Sequence, residues 1–255
     1  PRPVAATPGA PLLVAAGLTV PRADGGVGIA DVSLTVRAGE ILGVAGVGGN
    51  GQQQLADAIL GLAPIAAGSL TFDGAAVTHA TVATRRRLGL RVIPADRMSG
   101  GLVGDFSVAD NLALTAVAAG GHLLGWLDRR SRDEKAAEAI ARYEIAGATP
   151  GRRTRLLSGG NAQKLLVARE LGPGARILLA HSPTRGLDVR AAAFVHAAIR
   201  AAVADGAACL MISEDLEEVL ALSDRIAVMS AGRIVGERPA GATSQEIGAM
   251  MLGHA

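Results

Sequence analysis

The sequence contains a single cysteine, Cys209, so no disulfide can close within the chain. Its flanks, Ala207-Ala208 and Leu210-Met211-Ile212, are apolar, which makes it a buried structural thiol of a reducing compartment and not a nucleophile. Aromatic residues make up only 2% of the chain, so the stacking platforms on which single-stranded nucleic acid is held are missing. An excess of charge of one sign is missing too. The net charge is +2, and Arg85-Arg86-Arg87, Arg129-Arg130 and Arg152-Arg153 are scattered runs that read as solvated helix faces instead of one basic stripe. Nucleic acid is therefore not an expected partner. Long apolar runs are lacking as well: residues 207–212 and Ile177 to Ala180 are too short to cross a bilayer and suit strands buried on both faces. The chain opens at Pro1 without a charged-then-apolar leader, which reads as an excised or processed piece of a longer protein.

What is present is enough apolar material, 49% of 255 residues, to bury a large core. Residues 1–11, rich in Pro and Ala, read as a linker or arm, and the folded unit as 12–255. Leu12 to Val20 and Ile29 to Val36 read as strands around the Asp24-Gly25-Gly26 turn, forming a hairpin edge. Glu40 to Ala45, Leu70 to Phe72, Leu90 to Ile93, Ile177 to Ala180, Ala208 to Ile212 and Arg225 to Met229 read as further strands. Helical spacing is read at Gln52 to Leu60, Ser107 to Ala118, Arg132 to Ala146, Asn161 to Leu171, Val189 to Ala204, Asp215 to Leu222 and Ser244 to Leu252, with Ser107 and Ser131 as N-caps. This alternation predicts an α/β fold: a mainly parallel sheet with flanking helices and an N-terminal antiparallel β subdomain.

Two glycine loops stand out. Gly46-Val47-Gly48-Gly49-Asn50-Gly51-Gln52-Gln53 follows a strand and opens a helix, with the spacing of a phosphate-binding loop but glutamine at both positions that normally carry Lys and Ser or Thr. Leu157-Ser158-Gly159-Gly160-Asn161 also opens a helix, whose N-terminal amides and dipole favour an anion. Together with Pro183-Thr184-Arg185-Gly186-Leu187-Asp188, Ile212-Ser213-Glu214-Asp215 and Asp224 to Met229, these motifs follow one another in an order that resembles the nucleotide-binding domain of ATP-binding cassette (ABC) transporters. The combination looks closest to the second, C-terminal cassette of duplicated importer ATPases serving nucleosides or simple sugars.

That resemblance implies a P-loop NTPase-like core (12–95 and 162–255) and a helical subdomain (about 96–161) carrying the signature. It implies contacts to nucleotide from Gly46, Gly48, Gly49, Asn50, Gly51, Gln52 and Gln53 in cis, and from Ser158, Gly159, Gly160 and Asn161 to ATP on a partner cassette, with Asp188 at the interface. The departures each remove one chemical function. Gln52 replaces the phosphate-gripping lysine, and a lost charge-assisted contact costs about 1.5–3 kcal/mol. Gln53 and His181 replace two magnesium anchors, and Mg²⁺ prefers hard oxygen ligands. Ser182 stands where the carboxylate base belongs, Glu214 replaces the switch histidine with an anion, and Ala95 lies near the position of the Q-loop glutamine.

The resemblance therefore implies a half-site degenerate in cis. Catalytic residues in cis and a metal site of its own are not expected, and Mg²⁺ enters only through the partner. The implied partners are a second cassette, on the same polypeptide, and membrane permease subunits reached through the segment Asp96 to Asn111. The implied location is peripheral, on the cytoplasmic side of the membrane. Two other classes compete: a pseudo-ATPase scaffold, against which an intact Ser158-Gly159-Gly160 counts, and a free-standing phosphotransferase or nucleic-acid ATPase, against which the missing lysine counts. His181 reads as a hydrogen-bonded core histidine, since no second ligand stands at metal spacing. His79, His122, His196 and His254 read as surface or packing residues, and Trp126 and Tyr143 as packing of the helical subdomain.

Overall fold

The computed structural model describes residues 8–22, 27–118 and 129–252. The Asp24-Gly25-Gly26 turn, His122, Trp126, His254 and most of the Pro/Ala arm lie outside the described residues. In chain order the elements are β1 (Pro11–Pro21), β2 (Val27–Arg37), β3 (Ile41–Ala45), α1 (Gln52–Leu60), β4 (Ala67–Phe72), β5 (Ala75–Ala76), α2 (Val82–Arg87), β6 (Leu90–Ile93), α3 (Val108–Ala118), α4 (Arg129–Arg142), α5 (Gly159–Glu170), β7 (Ile177–His181), α6 (Val189–Ala204), β8 (Ala208–Ser213), α7 (Leu216–Leu222), β9 (Arg225–Ser230), β10 (Arg233–Pro239) and α8 (Ser244–Met251).

A six-stranded sheet in the order β10-β9-β3-β8-β7-β6 is parallel except where β10 runs antiparallel to β9. Its interior strands β3 and β8 are buried along their length and, Ser213 apart, apolar, as a parallel sheet covered on both sides requires. The period of two distributes them: Leu42, Val44, Leu210 and Ile212 enter the core shared with the antiparallel sheet and α1, while Ile41, Cys209, Met211 and Val228 enter the core beneath α5, α6, α7 and α8. Burial pushes the Cys209 thiol well above its ordinary range, so it is inert packing.

The antiparallel sheet has the order β2-β1-β4-β5. The first two strands pair as expected, but β1 is an interior strand, because β4 takes its other side from Leu13 against Phe72 to Thr19 against Ala67. Ser107 caps α3, its Oγ accepting from the Asp110 amide at 3.1 Å. Ser131 is not a cap: it lies inside α4, which extends back to Arg129 and stops at Arg142 instead of Ala146 because Glu144 turns left-handed at φ 49°. β10 and α2 escape the sequence reading for physical reasons: β10 is largely exposed and interrupted by Gly236, and α2 is a six-residue helix ending in three arginines.

Of those arginines only Arg87 is exposed; Arg85 and Arg86 are not a solvated face. Arg85 is 1% exposed and donates to the carbonyls of Ala58, Ile59, Thr78 and Ala80. A cation thus satisfies the last carbonyls of α1, the helix that follows the first glycine loop, where the helix dipole favours positive charge. Arg86 pairs at 3.1 Å with Glu170, which is fully buried at the end of α5 and also accepts from Arg169 Nε and the Val92 amide.

Candidate functional site: two glycine loops that open helices

Both loops open helices, but their side chains differ. The first runs from β3 into α1. Gly51 is the N-cap at φ 106°, with no side-chain cap bond, so the first amides of α1 are left for another acceptor. A side chain at Gly51 would strike Gly28 O at 2.8 Å, so only glycine fits there. Asn50 fixes the loop to the β9–β10 turn: its Oδ1 accepts from the Ala231 amide at 3.0 Å, and its carbonyl accepts from the Gly232 amide.

Gln52 folds back into this loop. Its Nε2 donates to Val47 O at 3.0 Å and crowds Gly46, while its Oε1 is buried without a hydrogen-bond partner. Such an orphan costs about 1–3 kcal/mol. Gln53 turns away and donates to Asp57 at 2.9 Å. Glu214, at the end of β8, brings its carboxylate against the loop: a methyl group placed on Gly48 would lie 2.8 Å from its Oε1, whereas the neighbouring Gly49, at φ 89°, faces open space. Negative charge and a bare acceptor therefore lie where a bound phosphate needs donors.

His181 ends β7, half-buried. Burial holds its imidazole below the ordinary histidine range, against the opposing pull of Asp57 and Glu214, so it is neutral near pH 7. The expected side-chain hydrogen bond is not found among the described residues. Ser182 follows in a left-handed conformation, φ 44°, with its amide donating to Ile212 O at 2.7 Å.

The second loop is differently equipped. Ser158 caps α5, and its Oγ accepts from both the Asn161 amide and Asn161 Nδ2, which leaves its own hydroxyl proton to donate. Asn161 is held in turn by the Ala146 amide at 2.9 Å. Gly160 packs close to Ala191 at the start of α6, where an added methyl group would sit 3.2 Å from the Ala191 Cβ. Asp188 caps α6, accepting from the Ala191 amide. Gln163, 3% exposed, ties α5 to the loop after β7 by donating to Pro183 O at 2.6 Å. Ala95 lies in a cleft of about 360 Å³ with Asp96, Arg97, Met98 and Arg185.

Sequence reasoning missed one cluster altogether. Glu218, 5% exposed on α7, accepts from Thr184 Oγ1 at 2.6 Å, Ser213 Oγ at 2.7 Å and His196 Nε2 at 3.0 Å. Burial opposes its charge, but bonds from His196, Thr184 and Ser213 outweigh this and hold its carboxyl below the ordinary range. His196 is thus a partner of a buried carboxylate, more than surface packing. The signal in the sequence was the placement of Glu218 three residues after the Asp215 N-cap, on the inward side of a helix of about two turns. Tyr143 packs edge-on against Phe194 of α6.

The sequence model of the ABC transporter family matches residues 29–185. The chain belongs to the ABC transporter family. It is 40% identical over 251 residues to the guanosine import ATP-binding protein NupO of Bacillus subtilis, covering 98% of this chain and 49% of that protein. It is 41% identical over 218 residues to the ribose import ATP-binding protein RbsA 1 of Rubrobacter xylanophilus, covering 85% and 43%. The chain spans about half the length of the curated relatives it matches. A solved nucleotide-free ATP-binding cassette from an ABC transporter superposes with a TM-score of 0.79 at 20% identity over 96% of each chain, which establishes the cassette fold. No described helix of this cassette is long and apolar enough to cross a membrane.

Proposed function

We propose that this cassette powers a nucleoside or simple-sugar importer, and that its own nucleotide half-site is degenerate while its signature loop acts in trans. The import names of its relatives support the transport reading. The observation that carries the rest is Glu214 lying against Gly48, with Gln52 filling the loop beside it. On this reading Gln52, Gln53, His181 and Glu214 do not fit a magnesium-bound polyphosphate, and no hydrolytic step passes through them.

Ser158, Gly159 and Gly160 instead close over ATP held by a second cassette, and Asn161 braces Ser158. Asp188 holds the start of α6 beside that interface. ATP draws the pair together, hydrolysis at the partner site reopens it, and residues 96–161, the helical subdomain, pass the motion to permease subunits at the cytoplasmic face of the membrane. On this reading the second cassette belongs to the same polypeptide, which relatives about twice the matched length support.

Phosphate release by this domain, by its partner cassette and by the two together tests the reading, with Gly159→Asp as the variant. Activity that needs both and collapses by about a hundredfold or more with Gly159→Asp is expected. Substantial hydrolysis by this domain alone overturns the degenerate half-site. Indifference of the pair to Gly159→Asp returns the domain to a scaffold role.

A further inference from the structure

The cleft beside the signature loop carries a charge pattern that the motifs do not account for. Arg97 and Arg185 both line it, one from the segment after β6 and the other from the loop after β7. Arg97 Nη1 donates to the Arg185 carbonyl at 3.2 Å, which draws the two residues together although they are 88 positions apart. The other guanidinium nitrogen, Nη2, lies at the signature: a methyl group placed on Gly159 would sit 2.7 Å from it.

Among the described residues neither arginine makes an ion pair. The carboxylate nearest in sequence, Asp96, also lines the cleft, but its Oδ1 is engaged by the amides of Met98 and Ser99 at 2.9 and 3.1 Å. Bonds from Ser99 and Met98 keep this carboxyl below its ordinary range. The Arg97 guanidinium and the exposed Arg185, whose charge also reaches His181, thus border one cleft whose carboxylate is already committed. Their neighbours on the signature side are donors: the Ser158 hydroxyl and the first amides of the twelve-residue α5. Guanidinium groups arranged this way match the oxygens of a phosphoryl group, which they bind in bidentate fashion.

We propose that Arg97 and Arg185 form a cationic clamp for a phosphoryl group, namely the terminal phosphate of the nucleotide held by the partner cassette. This rests on the trans reading above and extends it. The signature supplies neutral donors, and the two arginines supply the positive charge that this chain lacks in its own glycine loop. Arg185, exposed on its loop, contacts the phosphate directly. Arg97 contacts it and also positions the loop through the Arg185 carbonyl.

The test is ATP turnover by the assembled transporter containing both cassettes, with Arg185→Ala, Arg185→Lys, Arg97→Ala and Gly159→Asp measured alongside thermal unfolding. Arg185→Ala is expected to lower kcat about ten- to a hundredfold at unchanged unfolding temperature, the loss of one charge-assisted phosphate contact. Arg185→Lys and added guanidinium ion recover part of it, and Arg97→Ala lowers kcat at least as far. Unchanged kcat in both alanine variants, with Gly159→Asp still inactive, overturns the clamp and leaves the trans reading standing. Full turnover by Gly159→Asp overturns both. A loss that neither lysine nor guanidinium recovers, accompanied by a lower unfolding temperature, marks a purely structural role and overturns the clamp. A source other than the partner's nucleotide is separated by adding inorganic phosphate to this chain alone: stabilisation abolished by Arg185→Ala, with turnover unaffected, identifies a free-phosphate site and overturns the proposal.

Discussion

The two glycine loops of this cassette each lead into a helix, uncapped by a side chain at α1 and capped by Ser158 at α5, and differ in what surrounds the first amides. At Gly46 to Gly51 the neighbours are a glutamine folded inward with a buried bare acceptor, a neutral histidine and the Glu214 carboxylate. At Ser158 to Gly160 they are a serine hydroxyl and the Arg97 guanidinium, which also holds the Arg185 loop through its carbonyl; neither arginine has an ion-pair partner among the described residues. A helix N-terminus attracts anions in both, but a full charge in a partly dry site outweighs the dipole, which contributes about 0.3–1 kcal/mol at an exposed end. On the proposed reading, side-chain charge, more than loop shape, sets the sign of each half-site.

The comparison can be inverted by changing two residues of the first loop. Gln52→Lys together with Glu214→His replaces an acceptor and an anion with two cationic or donor groups. Nucleotide affinity of the domain, followed by titration calorimetry, is expected to rise about a hundredfold or more, two contacts of about 1.5–3 kcal/mol each. An unchanged affinity would mean that the loop is closed to phosphate by its backbone and not by these side chains.

The buried carboxylate that joins the two halves gives a smaller effect. Glu218 links Thr184, on the arginine-bearing loop, to Ser213, which precedes Glu214. Glu218→Gln replaces a charged acceptor of three donors and is expected to cost about 2–3 kcal/mol by denaturant unfolding near neutral pH. The folded-state pKa is depressed, so this contribution is present above the ordinary carboxylate pKa and is lost as pH falls through the folded value. The stability gap between wild type and Glu218→Gln should therefore shrink on acidification below about pH 4.5. A gap that does not change with pH would show that the loss is one of packing.

Smallest is the backbone test. Gly51→Ala, at φ 106° and facing Gly28 O, is expected to destabilise by about 2 kcal/mol, against about 1 kcal/mol for Gly49→Ala, which has φ 89° but open space. Equal costs would assign the whole effect to the dihedral angle.

Much of this was legible because it is local. Apolar runs such as Leu210 to Ile212 announce a doubly covered parallel strand, and glycines at fixed offsets announce the loops. Ser107 could be placed from neighbours in sequence, whereas Tyr143, expected to pack the helical subdomain, packs on Phe194 of α6. Where the reading failed, the partner lies far along the chain. Arg85 looked solvated because two of the four carbonyls it satisfies, those of Ala58 and Ile59, belong to α1.

The sequence by itself determined the strand and helix order, the family, and which side chains stand at each motif position, since these depend on pattern and spacing. Only the tertiary structure decided that Glu214 leans on Gly48, that Glu218 gathers donors from three elements, and that Arg97 and Arg185 meet beside Gly159. Coulombic and hydrogen-bond energies fall off over a few ångströms, and distances of that size between residues far apart in sequence are set by how the sheet and helices pack.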